Sequence, residues 1–127
     1  MSRIKGKDTK PEMVVRRFLF ANGFRYRLHD KRLPGKPDVV LAKYKTAIFV
    51  NGCFWHGHEG CKFFVMPKTR VRWWEEKIRI TITKDKESIR ELKLLGWYSI
   101  VVWECELKKD KRRVTLENIR GKLDKQV

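Results

Sequence analysis

Apolar residues recur at helical spacing near the start of the chain, and their 3.6-residue period predicts a helix over residues 9–22. Thr9 and Glu12 have the spacing of an N-terminal capping box, and Pro11 suits the first helical turn. Gly23 follows where the end of a helix favours a positive φ. The apolar stripe consists of Val14, Val15, Phe18 and Leu19.

Short runs rich in β-branched and aromatic residues predict strands over 24–28, 37–41, 46–50 and 98–103. The run at 46–50 is apolar on both faces, as expected for a central strand. Residues 43–45 lie between two of these runs and predict a tight connection.

A long helical segment is predicted over residues 68–95, ended by Gly96. The alternation Ile-Thr-Ile-Thr inside it is typical of a strand, so we expect a break near 80–84. Residues 51–67 are irregular, and the elements together predict a mixed α/β domain with a small central sheet under helices. A last helix would carry Leu116, Ile119 and Leu123.

The length of 127 residues predicts one domain over 1–127, in which about 108–127 form a basic C-terminal tail or helix. The hydrophobic share of 42% excludes a disordered tail, and no apolar run approaches the ~20 residues of a membrane span. The first ten residues carry charges with no apolar stretch behind them. We therefore expect no secretory signal and a cytoplasmic protein.

The 31 Lys and Arg residues against 15 Asp and Glu residues give a net charge of +16. Such a surface usually meets a polyanion, and nucleic acid is favoured because neutralised phosphates release counterions. Aromatic residues stand beside the basic ones, as in 24–27 and 72–74, which suits a ligand with phosphates and bases. The alternatives are a solvated basic face over an aromatic core and, less favoured, a basic helix on a membrane surface.

Two aromatic pairs are candidate DNA contacts. Phe54 and Trp55 lie on a loop, from which apolar side chains can wedge between base pairs, although they could also cover a small core. The pair Trp73 and Trp74 is ambiguous in the same way, with one ring expected to face the core and the other DNA.

Cysteine and histidine residues cluster in the irregular segment. Cys53, His58 and Cys61 lie within nine residues, and Cys105 after the last strand could supply a fourth ligand for a tetrahedral structural zinc. His56 competes with His58 for this role on spacing alone. The alternatives are a disulfide, which a reducing cytosol disfavours, or plain buried thiols.

A carboxylate at the start of a strand in a basic protein suits a nuclease that holds Mg²⁺, and Asp38 has this position. Asp38 could instead only cap a turn after Pro37. His56 could act as a general base on a water molecule if it lies near Asp38. Glu12 could hold a metal-bound water if it faces Asp38, although a capping box explains it without any chemistry.

Five stretches of the sequence are long and rich in rare residues. They are 1–9, 33–38 (LPGKPD), 48–56 (IFVNGCFWH), the Gly96-Trp97 step and 103–107 (WECEL). Together they resemble the very short patch repair (Vsr) endonucleases, from residue 1 to about residue 108. The resemblance implies a restriction-endonuclease-like fold and a Mg²⁺-dependent nick in one strand of duplex DNA. The nick would lie 5′ to the thymine of a T·G mismatch, which arises when 5-methylcytosine deaminates.

The resemblance also implies roles for the candidate residues. Asp38 would bind the catalytic magnesium with help from the backbone carbonyl of Val50. His56 would be the general base, and Glu12 would support the hydrated metal and the phosphate. The implied zinc ligands are Cys53, His58, Cys61 and Cys105.

For DNA, the resemblance implies that Phe54, Trp55 and Trp74 intercalate beside the mismatch. Lys77 matches a residue that contacts the mismatched bases.

The sequence departs from the family pattern at three places. Asn51 stands where some members have a second active-site histidine, and Asn can donate a hydrogen bond to phosphate but cannot carry a proton. Thr81 stands where members often have an asparagine that reads the mismatch, so this position leaves the base preference open. The spacing from His58 to Cys61 is one residue wider than in His-x-Cys relatives.

The expected partner is double-stranded DNA with a T·G mismatch, bound by a monomer in a bacterial-type, nucleoid-associated cytoplasm, with repair proteins as candidate further partners. One rival is a nickase or restriction-associated nuclease of the same fold with a different target. A second rival is a zinc-stabilised DNA-binding module without catalysis.

Overall fold

The structure, a computed structural model, describes residues 9–125 and has three helices around a four-stranded mixed sheet. Short 3₁₀ turns follow two of the strands, at Ala42–Tyr44 and Glu104–Leu107. The predicted α/β class is confirmed. The elements in chain order are α1 (Lys10–Ala21), β1 (Arg27–Leu28), β2 (Val39–Leu41), β3 (Thr46–Asn51), α2 (Val71–Leu94), β4 (Tyr98–Trp103) and α3 (Arg112–Asp124).

The sheet has the order β1-β2-β3-β4, and only its last pair is parallel. In that pair, Asn51 at the end of β3 lies opposite Trp103 at the end of β4. Parallel strands end at the same edge of a sheet. The segments that follow the two strands, with Cys53 and Cys105, therefore meet although they are far apart in sequence.

The predicted first helix is confirmed as α1, and its start has half of the expected capping box. The Thr9 side chain accepts a hydrogen bond from the Glu12 N–H, whereas the Glu12 carboxylate turns away into the protein. Gly23 has the predicted positive φ, at +83°. The last helix is confirmed as α3, and its three predicted apolar residues are buried.

Two predicted elements are wrong in extent. The strand expected over 24–28 pairs only at Arg27–Leu28, because Phe24 turns into the core and its ring packs edge-on against Tyr44. The break expected near 80–84 is absent, and α2 continues through it. Alternating β-branched residues have only a weak preference for strands. Here Ile78 and Ile82, one helical turn apart, pack together on the loop before the helix.

The core lies where α1 and α3 cover one face of the sheet. Along residues 9–125, no helix has the length and apolar character needed to cross a membrane. The predicted opening motif at residues 1–8 lies outside the described residues. The buried core includes Val15, Leu19, Val39, Leu41, Ile48, Ile100, Val102, Leu116, Ile119 and Leu123.

Candidate active site

Asp38 is held at the edge of the sheet by the neighbouring strand. It directly precedes β2, and its Oδ2 accepts a hydrogen bond of 2.7 Å from the Val50 N–H of β3. Burial raises the pKa of Asp38 to about 6, although this hydrogen bond opposes the shift. Glu12 raises the pKa further, because a second carboxylate nearby disfavours the ionised form. Asp38 therefore does more than cap a turn, since its carboxylate faces other charged groups.

Glu12 lies in the first turn of α1 and is 1% exposed. Its Oε2 lies 2.9 Å from Nε2 of His29 and 3.3 Å from the Arg16 guanidinium. A ligand atom of Glu12, one of His29 and one of Asp38 all lie within 4.8 Å of one another. The structure thus places Glu12 next to Asp38, which is the arrangement that Glu12 would need in order to hold a metal-bound water. No role was predicted for His29 from the sequence.

His56 pairs with an acid on the long helix. Its Nδ1 lies 2.6 Å from Oδ2 of Asp85 in α2, 29 residues further along the chain. With the Nδ1 proton donated to Asp85, the lone pair of Nε2 is left to accept a proton. Asp85 was missed by the sequence analysis, because it is one charged residue among many on α2 and no motif singles it out.

The predicted catalytic residues line one cavity of about 550 Å³. Asp85 completes this wall beside His56, and Asn51, 7% exposed, lines it from the end of β3. The cavity is wide enough for a phosphodiester group with water molecules. The sequence-predicted residues that line it are Glu12, Asp38, Val50, Asn51, Phe54, Trp55 and His56.

An aromatic cluster of three rings adjoins the cavity. The Phe54 ring lies 5.2 Å from Trp55 and 5.3 Å from Trp74, and the two Trp rings lie 5.5 Å apart. All three are half-buried, so they have both mutual support and an accessible side. Of the ambiguous pair, Trp74 joins the cluster, whereas Trp73 is 42% exposed and lies edge-on to Trp74 at 4.8 Å.

The two other predicted DNA contacts lie further along α2, away from the cavity lining. Lys77 is exposed, and its Nζ lies 5.5 Å from the centre of the Trp73 ring. The Thr81 hydroxyl donates a hydrogen bond of 3.1 Å to the Lys77 carbonyl. Its donor is therefore used within the helix.

The cysteines form a second cluster with His58. Cys53, His58, Cys61 and Cys105 each offer a ligand atom, all within 4.8 Å of one another, so this group could hold a metal ion. The three thiols are free, which removes the disulfide alternative. Burial raises the pKa of the Cys53 thiol to about 12. The convergence of four ligand atoms, all within 4.8 Å of one another, favours a metal over plain buried thiols.

His58, rather than His56, joins this cluster. Its Nδ1 lies 3.5 Å from the Cys105 sulfur, and its ring stacks in parallel on Trp103 at 4.0 Å. Cys105 also donates a backbone hydrogen bond to the Cys53 sulfur. The wider spacing between His58 and Cys61 is accommodated by Gly60, which has a φ of +72°. The ambiguity left by spacing alone is resolved by the fold.

Comparison with known proteins agrees with this geometry. The family model described as DNA mismatch endonuclease Vsr matches residues 1–62. The type II nicking enzyme V.NmeAIP of Neisseria meningitidis is 53% identical over 108 residues, which is 85% of this chain and 76% of the relative. The DNA mismatch endonuclease Vsr of Escherichia coli is 38% identical over 124 residues, which is 98% of this chain and 78% of the relative. The chain therefore belongs to the Vsr family of DNA mismatch endonucleases.

Proposed function

We propose that this protein nicks one strand of duplex DNA 5′ to the thymine of a T·G mismatch, in a Mg²⁺-dependent reaction that initiates very short patch repair. The observation that carries the proposal is the convergence of Asp38, Glu12 and the His56–Asp85 pair on one cavity beside an aromatic cluster. The two carboxylates and the His56–Asp85 pair would serve the hydrolysis, and the aromatic cluster would serve the recognition of a mismatch.

The aromatic cluster provides a reason for mismatch preference. Rings that enter a base stack must unstack it at a cost of a few kcal/mol, and this cost is lowest at a mismatched pair. The net charge of +16 keeps the protein bound to the DNA phosphates. The rings of Phe54, Trp55 and Trp74 can then enter the base stack where unstacking costs least. Selectivity would then arise largely from deformation, since the Thr81 donor is occupied within its helix.

The chemistry follows from the hydrogen bonds of His56. Asp85 fixes the tautomer, so Nε2 accepts a proton from a water molecule as the water oxygen bonds to phosphorus. The bond from phosphorus to the 3′ oxygen breaks, leaving a 5′ phosphate, and the 3′ oxygen takes a proton from solvent water to become a hydroxyl. Asn51 lines the cavity, where its amide can donate a hydrogen bond to a phosphate oxygen.

Two metal ions belong to the proposal, and the donor sets suit them. Glu12, Asp38 and the Val50 carbonyl offer oxygen atoms, which Mg²⁺ prefers, and a bound ion would stabilise charge on the leaving oxygen. Three sulfurs and one imidazole form a closed tetrahedral set typical of structural Zn²⁺. The zinc ligands would be Cys53, His58, Cys61 and Cys105.

The test is nicking of end-labelled duplexes that carry T·G, other mismatches or full pairing, with Mg²⁺ supplied or withheld. We expect one nick 5′ to the mismatched thymine, only with the metal, and loss of at least about 10³-fold in rate for Asp38→Asn. A matched control is Asp110→Asn, an exposed acid outside the cavity.

The same assay decides between the rivals. Equal nicking of paired and mismatched duplexes would contradict mismatch specificity and favour a nickase with another target. Binding without any nick, unchanged when Mg²⁺ is withheld, would contradict the enzyme and favour a zinc-stabilised binding module.

A further inference from the structure

His29 holds a position that backbone strain and hydrogen bonding both define. It directly follows β1 and has a φ of +48°, in the left-handed region. Histidine is among the few residues enriched there, although such a conformation is uncommon outside glycine. The His29 N–H donates a hydrogen bond of 3.0 Å to the Asp38 carbonyl, so the two backbones are tied side by side.

The imidazole of His29 is turned toward the carboxylates. Its Nε2 lies 2.9 Å from Glu12 Oε2, and the ligand atoms of His29, Glu12 and Asp38 lie within 4.8 Å of one another. Adjacent ligands of an octahedral cation with bonds of about 2.1 Å lie about 3 Å apart. The observed spacing therefore suits two neighbouring ligands of one ion. The His29 side chain is 23% exposed, whereas the Glu12 side chain is buried.

We propose that Nε2 of His29 is a direct ligand of the cation held by Asp38 and Glu12, and that it makes this site bind Mn²⁺ more tightly than Mg²⁺. The inference rests on the cation site of the proposed function. Mg²⁺ dehydrates reluctantly and selects oxygen ligands, whereas transition metals accept imidazole nitrogen more readily. A set of two carboxylates and one imidazole thus favours the transition metal.

The competing role for His29 is to orient Glu12. In that case Nε2 carries its proton and donates it to the carboxylate, and the nitrogen cannot reach a metal. Loss of the imidazole would then weaken binding of both cations alike, because the same carboxylate would be misplaced for each.

The experiment measures cation binding to the full, zinc-loaded chain without DNA. Mn²⁺ suits it because thiolates do not favour this ion, so the Cys₃His cluster keeps its zinc. Pulsed electron paramagnetic resonance of bound Mn²⁺ detects a directly coordinated ¹⁴N nucleus, and calorimetric titration gives the affinities for Mn²⁺ and Mg²⁺.

We expect ¹⁴N coupling in the native protein and its loss in His29→Asn, which tolerates the left-handed backbone. We also expect Mn²⁺ affinity to fall at least about tenfold while Mg²⁺ affinity changes less than about threefold. His29→Gln is the second variant, should the first bind no zinc. His56→Gln is the matched control, because it removes the other imidazole near Asp38 and leaves His29 in place. The ¹⁴N coupling should therefore persist in this variant.

Three results would overturn the ligand role: no nitrogen coupling in the native protein, coupling that persists in both His29 variants, or equal losses for the two cations. Each of these leaves T·G nicking by the native protein untouched. Conversely, intact coupling in a protein that never nicks DNA would support the ligand role and sink only the proposed function.

Discussion

The two groups of candidate metal ligands differ in the atoms they offer and in how far they are closed. At the Cys₃His cluster, three sulfurs and one imidazole are the four ligands that a tetrahedral ion needs, so they would close the shell of one ion. The group at Glu12, His29 and Asp38 offers fewer atoms than an octahedral ion needs and adjoins a cavity, which leaves positions for water and phosphate. A closed site suits structure, and an open site suits chemistry.

The loop between Cys53 and His58 connects the two groups, because it carries Phe54, Trp55 and His56. The dependence should run in one direction. Losing the closed cluster would remove the support of the aromatic rings on this loop and of His56, the proposed general base, whereas changing the open group would leave the loop in place. The predictions below test this asymmetry.

The largest effect is expected for Cys105→Ser, which removes the candidate ligand in the 3₁₀ turn after β4. Structural zinc contributes about 10–16 kcal/mol to the folding of small zinc domains. We expect zinc content to fall from about one ion per chain to near zero, with a thermal midpoint more than about 10 °C lower and loss of nicking. Elemental analysis and calorimetry measure these changes.

The matched control is Glu59→Gln, an exposed acid in the same loop, which should keep zinc and stability. A Cys105→Ser protein with native stability and no zinc would show that the cluster does not support the loop.

The next effect concerns the His56–Asp85 pair in the cavity beside the open group. We expect His56→Gln to slow nicking about 10²–10⁴-fold, and Asp85→Asn on the order of 10–100-fold, because an amide no longer holds the required tautomer. The double variant should be no slower than His56→Gln, since the two residues act as a unit. Single-turnover nicking measures the rates.

Zinc content and thermal midpoint should stay unchanged in these variants. Glu87→Gln, another acid on α2, is the matched control for charge. Additive losses in the double variant would mean that Asp85 acts independently of His56.

The contrast between the two sites also explains what could be predicted from sequence. Three ligands of the closed cluster lie within nine residues, and the fourth follows the strand parallel to theirs, so spacing predicted the cluster, whereas the choice of His58 over His56 needed the fold. Asp38 was recognised by its position before a strand. His29 and Asp85 were missed because each contacts a residue that is distant in sequence. His29 contacts Glu12 of α1, 17 residues earlier, and Asp85 of α2 contacts His56, 29 residues earlier. Both contacts therefore depend on how these two helices pack in the fold.

The wrong break in α2 has a related cause. Local alternation favoured a strand near 80–84, but Ile78 and Ile82 both face Gly57 from one side of a continuous helix, a tertiary contact that a periodicity argument cannot include. A side chain at Gly57 would lie 2.7 Å from Ile78 and 2.8 Å from Ile82, so the loop touches the helix at its backbone.

Gly57→Ala should therefore disturb both sites at once, since it lies between His56 and His58. The close contacts and a φ of +59° predict a loss of about 2–4 kcal/mol in the free energy of unfolding. Gly60→Ala has a similar φ of +72° but open space, so about 1 kcal/mol is expected. Urea denaturation measures both losses. Equal losses would show that backbone strain alone, and not the contact with α2, determines the cost of the substitution.

The smallest effect concerns the stability of the fold rather than its activity. Without a bound ion, the open group should lower the free energy of unfolding. The folded-state pKa of Asp38 is about 6, above its ordinary value of 3.8, so the folded state binds more protons between about pH 4 and pH 6. Stability from this group is thus present below pH 4 and is lost as the pH rises through 6. Asp38→Asn removes the ionised carboxylate and keeps an acceptor for the Val50 N–H.

We expect Asp38→Asn to be more stable than the native chain by about 1–3 kcal/mol at pH 8 without added Mg²⁺. The difference should shrink as the pH falls toward 4, and comparing both proteins at each pH cancels the contribution of the Cys₃His cluster. Urea denaturation across this range measures it. Added Mg²⁺ should stabilise the native chain alone, because an ion that binds only the folded state raises stability. A variant less stable than the native chain at pH 8 would mean that the ionised Asp38 holds the fold together, and the division between a structural and a chemical site would fail.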